Sequence, residues 1–174
     1  MKMKLICSLA MSVNGYVARP DGQEDFLSAA NWDDFLKFTK KLDNFIVGRK
    51  SFEVIKKLYK GKSFGDSEAK HKIIVTTDKS YAAEEGFVVC HSPKEAVEYL
   101  KDKVEYGLLI GGSGLNTSFA KANSIDEFWL TIDPNIIGDG YNLFNRENID
   151  IKVEFVESEM FSEGRLRVKY RVLR

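Results

Sequence analysis

Short apolar runs that alternate with amphipathic segments constrain the fold of this chain more than any other feature. Runs of this length, bounded by polar residues, are typical of buried strands. They occupy residues 3–11, 44–48, 72–76, 86–90 and 106–110. Amphipathic segments predict helices over residues 32–42, 51–58, 93–103 and 114–122. Strand–helix alternation of this kind implies a largely parallel sheet with helices on both faces.

The C-terminal part of the chain follows a different pattern. Residues 127–132, 152–161 and 165–173 are predicted strands, and only a Ser-Glu-Gly link separates the last two. Such a short link joins two strands into an antiparallel hairpin. We therefore predict a three-layer α/β fold around a mixed sheet of about eight strands, mainly parallel with an antiparallel C-terminal hairpin.

Length, charge and cysteine usage argue against several classes of protein. The 174 residues show no repeat or linker, so we predict a single domain spanning residues 1–174. The 26 basic and 26 acidic residues cancel, which argues against nucleic acid or a membrane surface as a partner. Two histidines give no familiar zinc spacing, so no metal is expected. Cys7 and Cys90 lie in apolar runs and are predicted to be buried thiols.

The apolar stretch near the N-terminus could be mistaken for a targeting segment. It is brief, is interrupted by Ser8, Ser12 and Asn14, and lacks a clear cleavage site. No run of the chain approaches the roughly 18 apolar residues of a membrane-spanning helix. We therefore expect the stretch to be the first buried strand and the protein to be cytoplasmic.

A strand–glycine–helix junction at residues 44–53 is a candidate phosphate site. Gly48 ends the predicted strand, and Arg49, Lys50 and Ser51 begin the next helix. The free backbone N–H groups of a helix N-terminus attract anions, and these side chains add positive charge and a hydroxyl. The alternative is an ordinary strand–helix turn with solvated basic residues.

A second junction of this kind lies at residues 108–119. Gly111 and Gly112 carry no side chain and so permit close approach of a ligand, with Ser113 directly after them. The segment lacks the third glycine of a dinucleotide-binding fingerprint, because Thr117 occupies that position. Tight packing of helix on sheet is the alternative explanation.

Other polar residues near strand and helix ends are candidates for ligand contacts. Thr76 and Thr77 follow a strand and could receive a ribose or its phosphate, or could simply form a turn. Asp34 shares a helix face with Phe38, and a carboxylate beside aromatic rings can serve in proton transfer. A favourable position in the helix dipole is the alternative role for Asp34. The rival acids are Glu24, Asp25 and Asp33.

Together these segments resemble the dihydrofolate reductase superfamily, which includes the reductase domain of riboflavin biosynthesis. The opening SLAMSVNGYVA resembles the first strand and substrate-flanking loop, although Asn14 replaces the family's acid and receives no proton chemistry. VGRKSFE resembles the cofactor-binding signature G-R-x-T-x-E, with Ser51 in place of threonine. IGGSGL and IDEFWLTIDPNIIGDGYNLF resemble the glycine pair and the later strand and loop. The resemblance covers almost the whole chain in the family's order.

The resemblance implies NADPH as cofactor, bound in an extended pose. The resemblance implies that the cofactor phosphates contact Gly48, Arg49, Lys50 and Ser51. It implies that the adenosine end contacts Thr76 and Thr77, and that the pyrophosphate and nicotinamide contact Gly111, Gly112 and Ser113.

The resemblance also implies a substrate site. Asp34, Phe38 and Thr131 match the acid, the aromatic residue and the threonine that surround the pterin ring in dihydrofolate reductases. Lys70 aligns with the arginine that grips the folate glutamate, but lysine lacks the planar fork of arginine. Asn31 and Trp32 replace the usual Pro-Trp element, with different spacing.

We therefore expect an NADPH-dependent reductase of dihydrofolate or a related pteridine, in which Asp34 and Thr131 are catalytic and Phe38 and Lys70 bind substrate. The alternative within this fold reduces a ribosylamino-pyrimidine phosphate in riboflavin biosynthesis, although the chain contains no deaminase domain. A homodimer is a further expectation of that alternative. A third possibility is an NADPH-binding protein without catalysis.

Overall fold

The computed structural model describes residues 3–59, 61 and 63–174. The strands are β1 (Lys4–Ser12), β2 (Tyr16–Ala18), β3 (Asn44–Gly48), β4 (His71–Val75), β5 (Phe87–Cys90), β6 (Tyr106–Leu109), β7 (Glu127–Asp133), β8 (Tyr141–Asn142), β9 (Val153–Met160) and β10 (Leu166–Val172). The helices are α1 (Ala30–Leu42), α2 (Arg49–Leu58), α3 (Pro93–Leu100) and α4 (Ser113–Lys121).

Eight of the strands form one mixed sheet in the order β5-β4-β3-β6-β1-β7-β10-β9. Every pairing from β5 to β7 is parallel, whereas β10 runs antiparallel to both β7 and β9. A single 3-10 turn at Ser162–Gly164 joins β9 to β10. The predicted mixed sheet and its antiparallel C-terminal hairpin are therefore confirmed.

Apolar side chains cover both faces of this sheet. Phe119 of α4 and Phe128 of β7 belong to a buried cluster on one face. Phe52 of α2 and Phe45 of β3 belong to a second cluster on the other face, into which α1 also packs. The predicted three-layer arrangement follows from these two clusters, because each face of the sheet is shielded by helices.

The two cysteines are buried in this core, as predicted. Cys7 and Cys90 are both free thiols. Burial raises the pKa of each thiol above its ordinary value, so both groups stay protonated at neutral pH.

Some features of the fold were not predicted from the sequence. β2 and β8 pair antiparallel in a separate two-stranded sheet, and both are too short for a periodic pattern. The helix predicted over residues 93–103 ends earlier, at Leu100. None of the helices in the described part of the chain is long and apolar enough to cross a membrane.

Candidate functional site

The order of the strands creates a crevice between β3 and β6. α2 leads from β3 to β4 on one side of this pair, while α4 leads from β6 to β7 on the other. Ligands of α/β proteins bind at the carboxyl ends of the strands where the connections diverge in this way. A cavity of about 1040 Å³ opens at this edge, and both α2 and α4 begin in its wall.

The first turn of α2 is held at the cavity by backbone contacts. The Gly48 amide donates to the Gly111 carbonyl oxygen over 2.8 Å, which ties the end of β3 to the end of β6. No side chain of the described residues caps α2, so the amides of its first turn have no side-chain acceptor. Gly48, Arg49, Lys50 and Ser51 all line the cavity.

The first turn of α4 approaches that of α2 closely because of its glycine. A methyl group at Gly112 would overlap the Ser51 Oγ, and one at Gly48 would lie 3.4 Å from Leu115 Cβ. No described side chain caps α4 either. In α3, by contrast, Ser92 Oγ accepts from the Glu95 amide over 3.2 Å. Two uncapped helix N-termini therefore meet at one cavity, an arrangement suited to a pair of phosphates.

The two glycines of the pair, Gly111 and Gly112, lie differently relative to the cavity. Gly112 and Ser113 line the cavity, whereas Gly111 lies behind them and accepts the bond from Gly48. Gly111 has a φ of 98°, a left-handed conformation that favours glycine. The Gly111–Gly112 peptide is cis.

One end of the cavity lies beside β4 and β5. Thr76 is buried, its amide donates to the Cys90 carbonyl oxygen over 3.0 Å, and Thr77 lies next to it in the cavity wall. His91 also lines this end, with Nδ1 3.0 Å from the Thr76 carbonyl oxygen. Sequence reasoning did not single out His91, because one histidine after a strand carries no motif.

Arg49 is a cation of the cavity wall that contacts residues following β4. Its Nη1 lies 3.5 Å from Asp78 Oδ2, and its guanidinium lies over the Tyr81 ring. Hydrogen bonds from Ser80 lower the pKa of the Asp78 carboxyl, and the charge of Arg49 adds to that effect. Lys50 is exposed and has no ion-pair partner among the described residues.

The other end of the cavity brings Asp34 and Phe38 of α1 together with Thr131 of β7. Two buried arginines that sequence reasoning missed contact these residues. Arg165 Nη1 donates to Asp34 Oδ2 over 2.7 Å, and Arg167 Nε donates to Thr131 Oγ1 over 3.1 Å. The carboxylate and the hydroxyl are therefore both engaged by guanidinium groups.

The two arginines differ in their access to the cavity. Arg165 is 2% exposed and lies behind Asp34, outside the cavity wall, while Arg167 is part of the wall. Burial lowers the pKa of Arg167, and the nearby charge of Asp34 opposes that shift. Arg165 and Arg167 are two residues apart in the sequence. This spacing indicates that the two arginines lie on the same side of an extended segment, because alternate residues of a strand share one face.

The remaining candidates are divided between the cavity and the surface. Lys70 lies outside the cavity wall, with a 79% exposed side chain 3.4 Å from Asp43. Asp33 is exposed and also lies outside it, whereas Glu24 and Asp25 line the cavity. The structure therefore does not bring Lys70 together with the other predicted substrate contacts. The reason is local, since Asp43 and Lys70 face each other at the start of β3 and β4.

Within the described residues, no group of three or more His, Cys, Asp or Glu could hold a metal ion.

Comparison with known proteins identifies the family of this chain. The family model of the RibD C-terminal domain matches residues 3–166. A Bacillus subtilis (strain 168) protein described as uncharacterized protein YyaP is 25% identical over 96% of this chain and 94% of its own length.

Two solved structures share the fold. A putative riboflavin biosynthesis protein from Shewanella sp. PV-4 is 19% identical, with a TM-score of 0.76 over 99% of this chain and 100% of that chain. Dihydrofolate reductase from Enterococcus faecalis, complexed with NADP(H) and RAB-propyl, is 18% identical, with a TM-score of 0.74 over 100% of both chains. At such low sequence identities, the similarity to these two structures is evidence of a shared fold only.

Proposed function

Because this chain belongs to the RibD C-terminal domain family, we propose that it is an NADPH-dependent reductase of a small nitrogen heterocycle. The observation that supports this proposal best is the meeting of two uncapped helix N-termini at one cavity whose far end holds Asp34, Thr131 and Arg167. The first feature suits a dinucleotide, and the second suits a polar ring.

The residues at the glycine junctions fit this cofactor. Side-chain-free Gly112 leaves the space beside Ser51 that a methyl group would fill, so backbone amides of both helices can approach phosphate oxygens. Arg49 and Lys50 would add positive charge there. NADPH, when bound, would supply a hydride to the carbon of a C=N bond, which is a ring bond in dihydrofolate and the ring-opened imine of the sugar in a ribosylamino-pyrimidine. Thr76 and Thr77 would contact the adenosine end of the same molecule.

The chain's own contribution to the reaction is orientation of the substrate. Phe38 and Trp32 would flank a planar ring and exclude water from it. Asp34 Oδ2 is held by Arg165, while Oδ1 makes no hydrogen bond to a described residue. That free oxygen can hold a ring N–H or the proton that the reduced nitrogen must gain.

A ribosylamino-pyrimidine phosphate is the substrate class we favour. The RibD C-terminal domain match supports a riboflavin-type reductase. Arg167 in the wall of the far end adds hydrogen-bond donors, which suit the carbonyl oxygens of such a pyrimidine.

Dihydrofolate is the second candidate, and one observation favours it. Asp34, Phe38 and Thr131 line one end of a single cavity, as the resemblance to dihydrofolate reductases implies. The pairing of Asp34 with Arg165 argues in the other direction, because the carboxylate is then shared between a substrate and a buried cation.

The test is an NADPH-oxidation assay with both substrates side by side, at equal enzyme and cofactor concentration. We expect oxidation with the ribosylamino-pyrimidine phosphate at a rate at least about tenfold above that with dihydrofolate. Faster reduction of dihydrofolate would reverse the order of the candidates. Tight NADPH binding without turnover of either compound would favour the non-catalytic alternative instead.

The expected homodimer stays a prediction of the riboflavin-type assignment. β9 lies at one edge of the sheet, and its Phe155 and Met160 are 59% and 66% exposed. Light scattering after gel filtration measures the mass directly. A mass of two chains would agree with the prediction, and that of one chain would contradict it.

A further inference from the structure

Arg167 is enclosed by protein yet borders the cavity. The residue is only 5% exposed, and it belongs to the cavity wall. Its Nε donates to Thr131 Oγ1, and its Nη2 lies 4.0 Å from Asp34 Oδ2, which is too far for a hydrogen bond. Of the five N–H donors of an arginine, one is used, so four have no acceptor among the described residues.

Two aromatic rings contact this guanidinium. Its central carbon lies 4.4 Å from the centre of the Phe38 ring and 4.3 Å from that of Phe161. Such cation–π contacts stabilise a guanidinium that burial has removed from water. Neither phenylalanine ring has a nitrogen or oxygen acceptor, so these contacts use none of the remaining N–H donors of Arg167, which borders the cavity.

The carboxylate of Asp34 accepts no hydrogen bond from the four remaining N–H donors of Arg167. Asp34 Oδ2 accepts from Arg165 Nη1, so the carboxylate that lies within 4.0 Å of Arg167 is already shared with a second buried cation. The negative charge of Glu159 also acts on Arg167, but the two side chains form no ion pair within 4.0 Å in the described part of the chain. An amino group or an amidinium cation that faces Arg167 would add repulsion and leave the arginine donors unpaired. A ligand with a carbonyl or anionic oxygen would satisfy them, and an unmade bond to a buried charged group is costly.

We propose that Arg167 is a specificity-determining residue that donates its in-plane N–H groups to a ring oxygen of the substrate. The site then selects oxo-heterocycles over the amino-heterocycles of the same shape. The inference rests on the proposed function in one respect, since it takes this end of the cavity as the site of the heterocycle.

A matched pair of ligands tests the role of Arg167. Lumazine and 2,4-diaminopteridine share one ring system. Lumazine has carbonyl oxygens at the two positions where the other compound has amino groups, and its two neighbouring ring nitrogens carry hydrogens where those of the other compound are acceptors. Titration calorimetry with NADPH-saturated protein measures both affinities. We expect wild-type protein to bind lumazine at least about tenfold more tightly, since each factor of ten corresponds to about 1.4 kcal/mol.

Variants at Arg167 should remove this preference. Arg167→Met should weaken lumazine binding at least about tenfold and leave diaminopteridine unchanged, while NADPH affinity reports that the protein is folded. The control is Lys169→Met, which lies two residues along β10, pairs with Glu157 over 2.5 Å and is absent from the cavity wall. If Arg167→Met does not fold, Arg167→Lys keeps the charge without the planar fork and should still lose most of the preference.

Three results would overturn the inference. They are equal or tighter binding of diaminopteridine by the wild type, a loss of both ligands to the same extent in Arg167→Met, and failure of the wild type to bind either pteridine. An oxo preference that depends on Arg167, in a protein that reduces no heterocycle, would leave the inference standing and refute the reductase. Turnover without any oxo preference would refute the role of Arg167 alone.

Discussion

The two ends of the cavity are built in different ways. The phosphate end consists of backbone at two glycine junctions, Gly48 and Gly112, each within a few residues of the helix that it begins. The heterocycle end consists of side chains from α1, β7 and the C-terminal hairpin, and Asp34 lies 131 positions before its partner Arg165 in the sequence. Local sequence motifs therefore predict the phosphate end. The heterocycle end cannot be predicted in this way, because its side chains come together only when the sheet forms.

The largest effect should come from breaking the heterocycle end at its buried ion pair. Asp34→Asn leaves Arg165 buried without its compensating charge, which should lower the free energy of unfolding by about 3 kcal/mol. Urea denaturation measures this loss. Asp33→Asn is the matched control, because Asp33 is exposed and lies outside the cavity wall, and it should change stability by less than about 0.5 kcal/mol. Equal stability of the two variants would show that Arg165 does not depend on Asp34.

How far the sequence predicts each region follows from this difference. The strand and helix pattern predicts the mixed sheet, and the residues around Gly48 and Gly112 are found at the cavity. Arg167 could not be assigned in this way, because its place beside Thr131 depends on the register of β10 against β7. Lys70 shows the opposite case, since its aligned position suggested a substrate contact, whereas its side chain lies beside Asp43 and outside the cavity wall. Its role in substrate binding stays a prediction.

The second effect concerns the phosphate end. Gly112→Ala would place a methyl group against Ser51 Oγ and push the two helix N-termini apart. We expect NADPH affinity to fall at least about tenfold. A tenfold loss corresponds to about 1.4 kcal/mol, which is within the free-energy cost of overpacking a tight contact. Fluorescence titration with NADPH measures the change. Gly138→Ala serves as control, since a methyl there meets no atom within 4 Å. Full NADPH affinity in Gly112→Ala would remove this junction from the cofactor site.

The third effect, also at the phosphate end, concerns the choice between cofactors. Arg49 is about one-third exposed and lies at the adenosine end, so a phosphate there would gain a partly screened charge contact. Arg49→Ala should lower the preference for NADPH over NADH about fivefold. The two dissociation constants of wild type and variant provide the measurement. Equal binding of NADPH and NADH by the wild type would refute the assignment of Arg49 before any variant is made.

The smallest effect should be at Lys70, which belongs to neither end. Its ion pair with Asp43 is exposed, and such pairs contribute less than about 1 kcal/mol. Lys70→Ala should therefore change stability by less than about 0.5 kcal/mol and the KM for either substrate by less than about twofold. A tenfold rise in KM for dihydrofolate would instead restore Lys70 to the substrate site and favour the folate-type function.

The central claim is that the two ends of the cavity cooperate in hydride transfer, and isotope transfer tests it most directly. NADPH carrying deuterium at the transferable position of the nicotinamide is incubated with the protein and the ribosylamino-pyrimidine phosphate, and in parallel with dihydrofolate. Mass spectrometry then measures deuterium in the reduced product. We predict one deuterium atom per molecule of product at the former C=N carbon. NADPH binding without deuterium in either product would contradict the account.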